Sequence, residues 1–598
     1  MTAQIPCPPP EDVAAPHESR FALSDFSTNR RVLLISAMAF IVGAFSSLVA
    51  WVLLWLIAVI TNLAFYQRFS SVNAIPQGHH LGYWVIVVPV IGALLIGLLA
   101  RYGSEKIRGH GIPEALEAIL LGRSRIQLKV ALLKPISAAI SIGTGGPFGA
   151  EGPIIMTGGA FGSLFAQRFH LSAAERKTLL VAGAAAGMSA VFATPVAALL
   201  LAVELLLFEW KPRSFIPVAV ASIVASVLRI PLLGVGPIFP VAVHAPMSGT
   251  ELAFAAAVGL IAGFGSGLLT LLVYAFEDLF QKLPLHWMWW PAIGALFIGI
   301  GGVIEPRVLG VGYETIHGLL RGDMIGTVVL GLMVAKALVW SVALGSGTSG
   351  GVLAPLLIMG GALGAAVSPW IPVGDAGLWA TIGMAAMMGG TMRSPLTAMV
   401  FAVELTRDFN LFPGLLAGSA AALLVTVLWM RRSILTEKLD RRGHHIIREY
   451  SIDPFELARV AEVMDKAVTT IPASMKVTEL SDRIAGGDDS LIRRQGTLLV
   501  NDQGGLSGII TRGDIVRALR QPGAETMLVS EAGSTDLIVT YMDEPLHDAL
   551  TKMLRHDIGR LPVVDRAAPH QLRGYLGRAA ILSARMHLHN EEHIRQKG

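Results

Sequence analysis

The apolar part of this 598-residue chain is written twice, and glycine and proline break both copies at the same places. Pro153-Ile-Ile-Met-Thr-Gly-Gly-Ala-Phe-Gly162 matches Pro355-Leu-Leu-Ile-Met-Gly-Gly-Ala-Leu-Gly364. Pro195-Val-Ala-Ala-Leu-Leu-Leu-Ala-Val-Glu204 matches Pro395-Leu-Thr-Ala-Met-Val-Phe-Ala-Val-Glu404. Upstream, Gly109-His-Gly-Ile-Pro-Glu114 aligns with Gly310-Val-Gly-Tyr-Glu314, and Lys134 with Lys336. The pairs keep one order at offsets of 200 to 202 residues. Interrupted helices survive at membrane depth only where protein or a water-filled cavity surrounds the freed backbone. Duplicated segments of this kind mark secondary transporters, whose ion sites lie where the helices break, near the bilayer midplane.

Composition says where lipid ends. The chain is 53% hydrophobic and 15% charged, against about one quarter charged in soluble domains. Charges are sparse from Val32 to Met430 and dense after Arg431. This predicts a segment 1–31 without a fold, a membrane domain 32–442, a linker 443–462, a soluble domain 463–587 and a tail 588–598. Within the membrane domain the repeats are expected at about 83–210 and 290–430. Met1 to Arg31 is polar and proline-rich and reads as a disordered lead without a secretory signal. The single cysteine, Cys7, excludes an internal disulfide and a cysteine metal site. Arg30-Arg31 before the first span and Arg431-Arg432 after the last predict cytoplasmic termini and an even number of full crossings. A net charge of +4 does not call for nucleic acid.

The first apolar run, Val32 to Leu63, exceeds the roughly 20 residues of a span and should tilt. Tyr83 to Leu99 is a second span. The runs that follow, Glu114–Leu121, Leu128–Ile142, Pro153–Phe165 and Thr178–Phe192, are shorter and imply an internal ionic path. Gly158, Gly159 and Gly162 read as close-packing residues. Glu204 and Glu404, at repeated positions late in apolar helices, read as packing or capping groups. Phe208-Glu209-Trp210 reads as interfacial, with Glu209 solvated.

Three glycine-rich turns open helices: Gly109-His-Gly-Ile-Pro113, Gly145-Gly-Pro-Phe-Gly-Ala-Glu-Gly-Pro153 and Gly345-Ser-Gly-Thr-Ser-Gly-Gly-Val-Leu-Ala-Pro355. Proline fits the first helical turn because its missing N–H has no intrahelical partner there. Glycine lets backbone amides approach a ligand. A helix N-terminus offers free N–H donors and roughly half a positive charge, so several aimed at one point bind an anion. Lys134 and Lys336 add positive potential. A cation site would need carboxylate or carbonyl clusters.

These turns resemble the three signature segments of the CLC chloride channel/transporter family, in family order, over about residues 32–442. The resemblance implies two inverted-topology repeats with broken helices, in an all-α polytopic membrane domain, and one anion pathway per subunit of a homodimer. It implies that Gly109, His110, Gly111, Ile112 and the amides of Val352 and Leu353 bind chloride or a similar small anion. It also makes Glu151 the gating glutamate. An ionised carboxylate occupies an anion site, and protonation releases it, so such a gate responds to pH and voltage. Bacterial relatives place the chain in the inner membrane and suggest acid-resistance shunting as its task.

Departures from the family pattern carry information. Leu205 stands where proton-coupled relatives have a proton-transfer glutamate. His110 replaces the central serine, Leu435 the pore tyrosine, and Ala150 the basic residue before the gate. Leucine cannot relay a proton, which favours passive conduction. Proton-coupled exchange through Glu204 or water is the alternative. His110 either donates to the anion, better when protonated, or bonds to backbone at a helix start.

Residues 463–587 contain two similar halves, with β-rich runs at Gly496–Val500 with Leu506–Ile510, and at Arg560–Val564 with Leu572–Leu576. They resemble tandem CBS domains, a small α/β fold. The resemblance implies one adenosine-nucleotide site, with Thr511 and Asp514 as contacts. A purely structural or dimerising tail is the other reading. No further cofactor and no enzymatic reaction are expected. A rhomboid-like serine protease built on Ser349 would need a base within hydrogen-bond reach. A CBS-linked divalent-cation transporter would need intramembrane acidic clusters. A transport-dead sensor would not need three intact helix-start motifs.

Overall fold

A computed structural model describes residues 30–442, apart from 121, 123 and 325, and residues 458–584, apart from 493–495 and the side chain of Ile492. The N-terminal lead with Cys7, most of the 443–462 linker and the 588–598 tail lie outside these residues. The chain divides into two compact units, 1–450 and 451–598.

The described residues of the first unit are mainly helical. Its first half comprises α1 (Arg31–Tyr66), α2 (Val87–Tyr102), α3 (Ile112–Leu120), α4 (Leu128–Gly143), α5 (Glu151–Gln167), α6 (Ala173–Phe192), α7 (Pro195–Leu201) and α8 (Pro212–Leu233). The second half repeats the set as α9 (Gly249–Gln281), α10 (Trp290–Ile304), α11 (Tyr313–Leu320), α12 (Thr327–Gly345), α13 (Leu353–Val367), α14 (Ala376–Met392), α15 (Pro395–Thr406) and α16 (Phe412–Trp429). A further helix, α17, spans Ile434–Arg441. The repeat therefore takes in α1 and α9, 36 and 33 residues long, outside the expected repeat limits of 83–210 and 290–430. They share no signature motif but hold the same place in each half: α1 packs on α6 and α8, and α9 on α14 and α16. Among the described residues, eight helices are long and apolar enough to cross a membrane. The two halves are inverted copies of one broken-helix topology.

Glycine sets the spacing inside each half. A Cβ on Gly158 would lie 2.3 Å from the Gly183 carbonyl oxygen, so α5 and α6 touch backbone to backbone. Gly360 and Gly383 repeat this between α13 and α14, at 2.4 Å. Gly162 likewise meets the Leu179 carbonyl at 2.1 Å, and close packing is the role of these glycines.

α7 runs directly into a π-helical turn, Ala202–Leu207, and ends at Phe208 in the left-handed region. The copy in α15 is α-helical to Thr406. Glu209 departs from its expected solvated state. Its side chain is 16% exposed, pairs with Lys211 at 3.0 Å and accepts from the Ser214 hydroxyl at 3.1 Å.

The described residues of the second unit form two three-stranded sheets. The first has order β1 (Thr470–Pro472), β2 (Gly496–Val500), β3 (Leu506–Thr511). The second has order β4 (Thr540–Tyr541), β5 (Arg560–Val564), β6 (Leu572–Gly577). Each pairs its first two strands parallel and its last two antiparallel, with a register shift at Leu499/Val500 and again at Val563/Val564. β1 and β4 are absent from the sequence reading because runs of three and two residues carry no alternation. Beside β4, the Arg566 guanidinium stacks on the Tyr541 ring and bonds to Asp543, holding that carboxyl below its usual range.

Candidate functional site

Three helix starts meet at one point. A short antiparallel bridge joins the turn before α5 to the turn before α13. Gly351 N donates to Gly149 O at 2.9 Å, and Gly149 N to Gly351 O at 3.3 Å. The turn before α3 closes on the same spot, since a Cβ on Gly152 would sit 2.0 Å from His110 O and 3.2 Å from Gly351 Cα. No side chain fits between these backbones, which is the physical reason for glycine here.

Glu151 is the first residue of α5 and is fully buried. Its Oε1 accepts from the Ala354 amide at 3.1 Å, while Oε2 has no partner among the described residues. The carboxylate therefore lies across the start of α13, inside the cluster of helix N-termini. A Cβ on Gly149 would lie 1.8 Å from Oε2, and one on Gly351 2.5 Å from it. Beside Ala354, the amides of Val352 and Leu353 have no protein acceptor among the described residues. Burial of a carboxylate at membrane depth is tolerated because donors of this kind surround it.

The predicted anion-binding residues divide. The Gly109 amide donates to Gly347 O at 3.4 Å, and the Gly111 amide to Glu114 Oε2 at 3.1 Å. Both are thus engaged, which leaves the His110 and Ile112 amides of that turn without a protein acceptor among the described residues. His110 is 4% exposed, its Nδ1 has no partner among the described residues, and it lines a cavity of about 460 Å³. Its ring is therefore not tied to backbone through Nδ1. Gly109, Arg108, Glu114, Tyr274, Ile434 and Lys438 share the cavity wall. Leu435 is buried outside that wall, so Ile434 presents the first residue of α17 to the cavity.

Two lysines do more local work than the sequence implies. The Lys134 ammonium donates to Ile107 O at 2.8 Å and Gly109 O at 2.6 Å. Lys336 donates to Val308 O at 2.8 Å and Gly310 O at 3.3 Å. Each buried lysine thus pins the glycine turn that opens the third helix of its own half. The turns also reach across: Gly109 N bonds Gly347 O, and its copy Gly310 N bonds Gly145 O at 3.0 Å.

Glu204 and Glu404 cap helices of the opposite half. Glu204 accepts from the Leu396 and Thr397 amides at 3.3 and 2.8 Å, and from the Thr397 hydroxyl at 2.6 Å. Glu404 accepts from the Val196 and Ala197 amides at 3.0 and 2.8 Å. Leu205, next to Glu204, is fully buried.

Sequence reasoning passed over Lys438. Its Nζ lies 2.7 Å from Glu114 Oε1 and 2.6 Å from a Cβ built on Gly109, at the cavity edge. Arg442, just past α17, pairs with Glu117 and with Glu114 at 3.8 Å, so three ion pairs tie the end of α17 to α3 among the described residues. The signal was present as basic residues in an amphipathic final helix, but their partners lie more than 300 residues away. Ser349 bonds only the Ser137 hydroxyl, at 3.1 Å, among the described residues, with no histidine to act as a base. In the second unit, Thr511 and Asp514 form the capping box of the helix Arg512–Leu519 and bond to each other at 2.7 Å.

Inverted halves, converging helix starts and a buried carboxylate among free amides define a membrane transport protein for anions, not an enzyme. The chain belongs to the voltage-gated chloride channel (CLC) family, whose model, described as "Voltage gated chloride channel", matches residues 91–427. Residues 460–521 and 529–587 match the CBS domain. Among its relatives is the voltage-gated ClC-type chloride channel ClcB of Salmonella typhimurium. The two are 29% identical over 347 residues, 56% of this chain and 82% of the relative. The fold is similar to that of a slow cyanobacterial Cl−/H+ antiporter, with a TM-score of 0.61 and 20% identity over 70% of this chain and 99% of the other. It is also similar to a eukaryotic CLC transporter, with a TM-score of 0.59 and 18% identity over 92% and 98%.

Proposed function

We propose that this protein conducts chloride or a similar small anion passively through each subunit of a homodimer, with Glu151 as the gate. The observation that carries the reading is the Glu151 carboxylate lying on the Ala354 amide beside the open amides of Val352 and Leu353. The carboxylate holds the place an anion would take. Protonation removes its charge, loosens its hold on the amide and lets an anion replace it. His110, which lines the cavity and whose buried Nδ1 has no partner among the described residues, is the next contact for that anion.

Two features support passive flux over exchange with protons. Leu205 offers no proton relay. Glu204, the nearest carboxylate in sequence, is held by two amides and a hydroxyl of the opposite half. We place both termini on the cytoplasmic side of a bacterial inner membrane, from the basic flanks. In the tail, one adenosine nucleotide would meet Thr511 and Asp514, whose capping box would have to share its oxygens with a ribose.

The test is chloride flux through Glu151→Ala in liposomes across a range of pH. Flux that persists and no longer varies with pH supports the gate. PH dependence equal to the parent's contradicts it.

A further inference from the structure

We propose that the lipid-facing edge of α4 and α5, on the membrane face where α1 begins, is a docking surface for an anionic phospholipid. A hydrogen-bonded clamp joins the two helices there. The Ser163 hydroxyl of α5 accepts from the Ile126 amide at 3.1 Å and donates to Ser124 O at 2.6 Å. Gln167, the last residue of α5, donates to Ile126 O at 3.2 Å. Arg125 and Arg168 are the chain neighbours of these clamped residues, one on each side of the seam, and Lys129 follows in the first turn of α4. α1 and α6 begin on the same face, because Arg31 bonds Glu175.

Arg125, Lys129 and Arg168 are all exposed, and none of them bonds a carboxylate among the described residues. The acidic side chains of the adjoining helices are engaged elsewhere: Glu114 with Lys438, Glu117 with Arg442 and Glu175 with Arg31. Helix chemistry does not account for Lys129, whose charge opposes the partial positive charge at the start of α4, where the first turn holds no acid. The seam thus gathers cations without a protein counterion. The surface leading away from them is apolar. Phe169, Phe165 and Phe161 recur at every fourth residue along α5, with ring centroids 5.2 and 6.3 Å apart, and Phe161 stacks on Phe45 of α1 at 3.8 Å. Phe45 and Phe169 are exposed, as is Leu128 beside Lys129. A row of rings running into the membrane from a cationic rim matches both ends of one molecule. The acyl chain lies along the rings, and the phosphate meets the guanidinium groups, whose forks suit its oxygens. Basic pockets between transmembrane helices hold anionic headgroups by this means. Free phosphate would leave the apolar row uncovered, so the occupant is the lipid. Arg125 also lines the cavity that His110 faces, which puts the headgroup at the edge of that cavity.

The test is native mass spectrometry of the full-length protein released from detergent micelles, titrated with phosphatidylglycerol or with phosphatidylcholine of the same chains. The parent should bind phosphatidylglycerol more tightly. Arg125→Gln, Lys129→Gln and Arg168→Gln should each weaken it about fivefold, the worth of one basic residue beside an anionic surface, and leave phosphatidylcholine unchanged. The triple variant should lose the preference. All three side chains are exposed, so folding is retained, with a thermal midpoint near the parent's as the check. Equal affinity of the parent for the two lipids, or a preference that survives in the triple variant, would overturn the site. Displacement of phosphatidylglycerol by equimolar inorganic phosphate would overturn the lipid as its occupant. Lipid binding is read without chloride flux, so its failure would leave the conduction reading untouched.

Discussion

Glu151 and Ala354 belong to opposite halves of the membrane unit, yet the carboxylate of one bonds the backbone amide of the other at 3.1 Å. On the proposed reading, this contact would close the pathway at the point where the repeats meet, with a side chain from one half plugging the helix start of the other. Nothing larger than a hydrogen at positions 149 and 351 leaves it room.

Gly149→Ala should therefore act as a gate mutation without touching Glu151. Its Cβ would meet the end of a flexible side chain, 1.8 Å from Oε2, and push the carboxylate off the amide. Chloride flux in liposomes should continue with a flattened pH dependence. Gly152→Ala meets the His110 carbonyl, which is backbone and cannot move aside, and should fail to give folded protein by size-exclusion chromatography. A Gly149→Ala protein gated like the parent would count against the plug.

The crossed caps of Glu204 and Glu404 predict matched effects. Glu204→Ala and Glu404→Ala each strip the acceptor from two backbone amides. Each should cost about 1–2 kcal/mol, the worth of a helix cap, read as a fall in thermal midpoint. If Glu204 were instead a mobile proton carrier, Glu204→Gln would alter ion coupling while leaving stability near the parent's.

The buried lysines should be structural before they are electrostatic. Lys134→Met leaves the carbonyls of Ile107 and Gly109 without a donor. Each buried orphan costs about 1–3 kcal/mol. Lys336→Met should destabilise comparably through Val308 and Gly310. Lys134→Met should impair chloride flux more, because Gly109 and His110 line the cavity and the Gly310 turn does not. Equal flux in the two variants would contradict this.

Lys438 gives a salt-dependent prediction. Its charge stands at the cavity edge beside Glu114 and, on the proposed reading, would draw anions toward His110. Lys438→Met should lower chloride flux severalfold at low ionic strength. The loss should fade near 1 M salt, where screening acts over about 3 Å. A loss of the same size at every ionic strength would make the residue structural.

Much of this architecture is legible in the sequence for a physical reason. Gly158, Gly360 and their neighbours are fixed by backbone contact, so both copies keep the same letters at the same offset. The longer tail strands, such as Gly496–Val500, announce themselves by their apolar runs. Other features depend on partners far along the chain, which no local pattern encodes. Glu204 reads as a capping group, but its targets at Leu396 and Thr397 are visible only in the fold. The engaged amides of Gly109 and Gly111, the pairing of Glu209 and the ion pair of Lys438 with Glu114 are of this kind. The equivalence of α1 and α9 escaped because lipid-facing helices need only be apolar.

The most direct test of the account records chloride efflux and external pH together, from liposomes holding the purified protein. A chloride gradient is imposed and valinomycin with potassium clamps the potential. The account predicts chloride efflux with no proton movement, because Leu205 cannot relay a proton and Glu204 is locked onto α15. Protons driven uphill by the chloride gradient would contradict it and make the protein an exchanger.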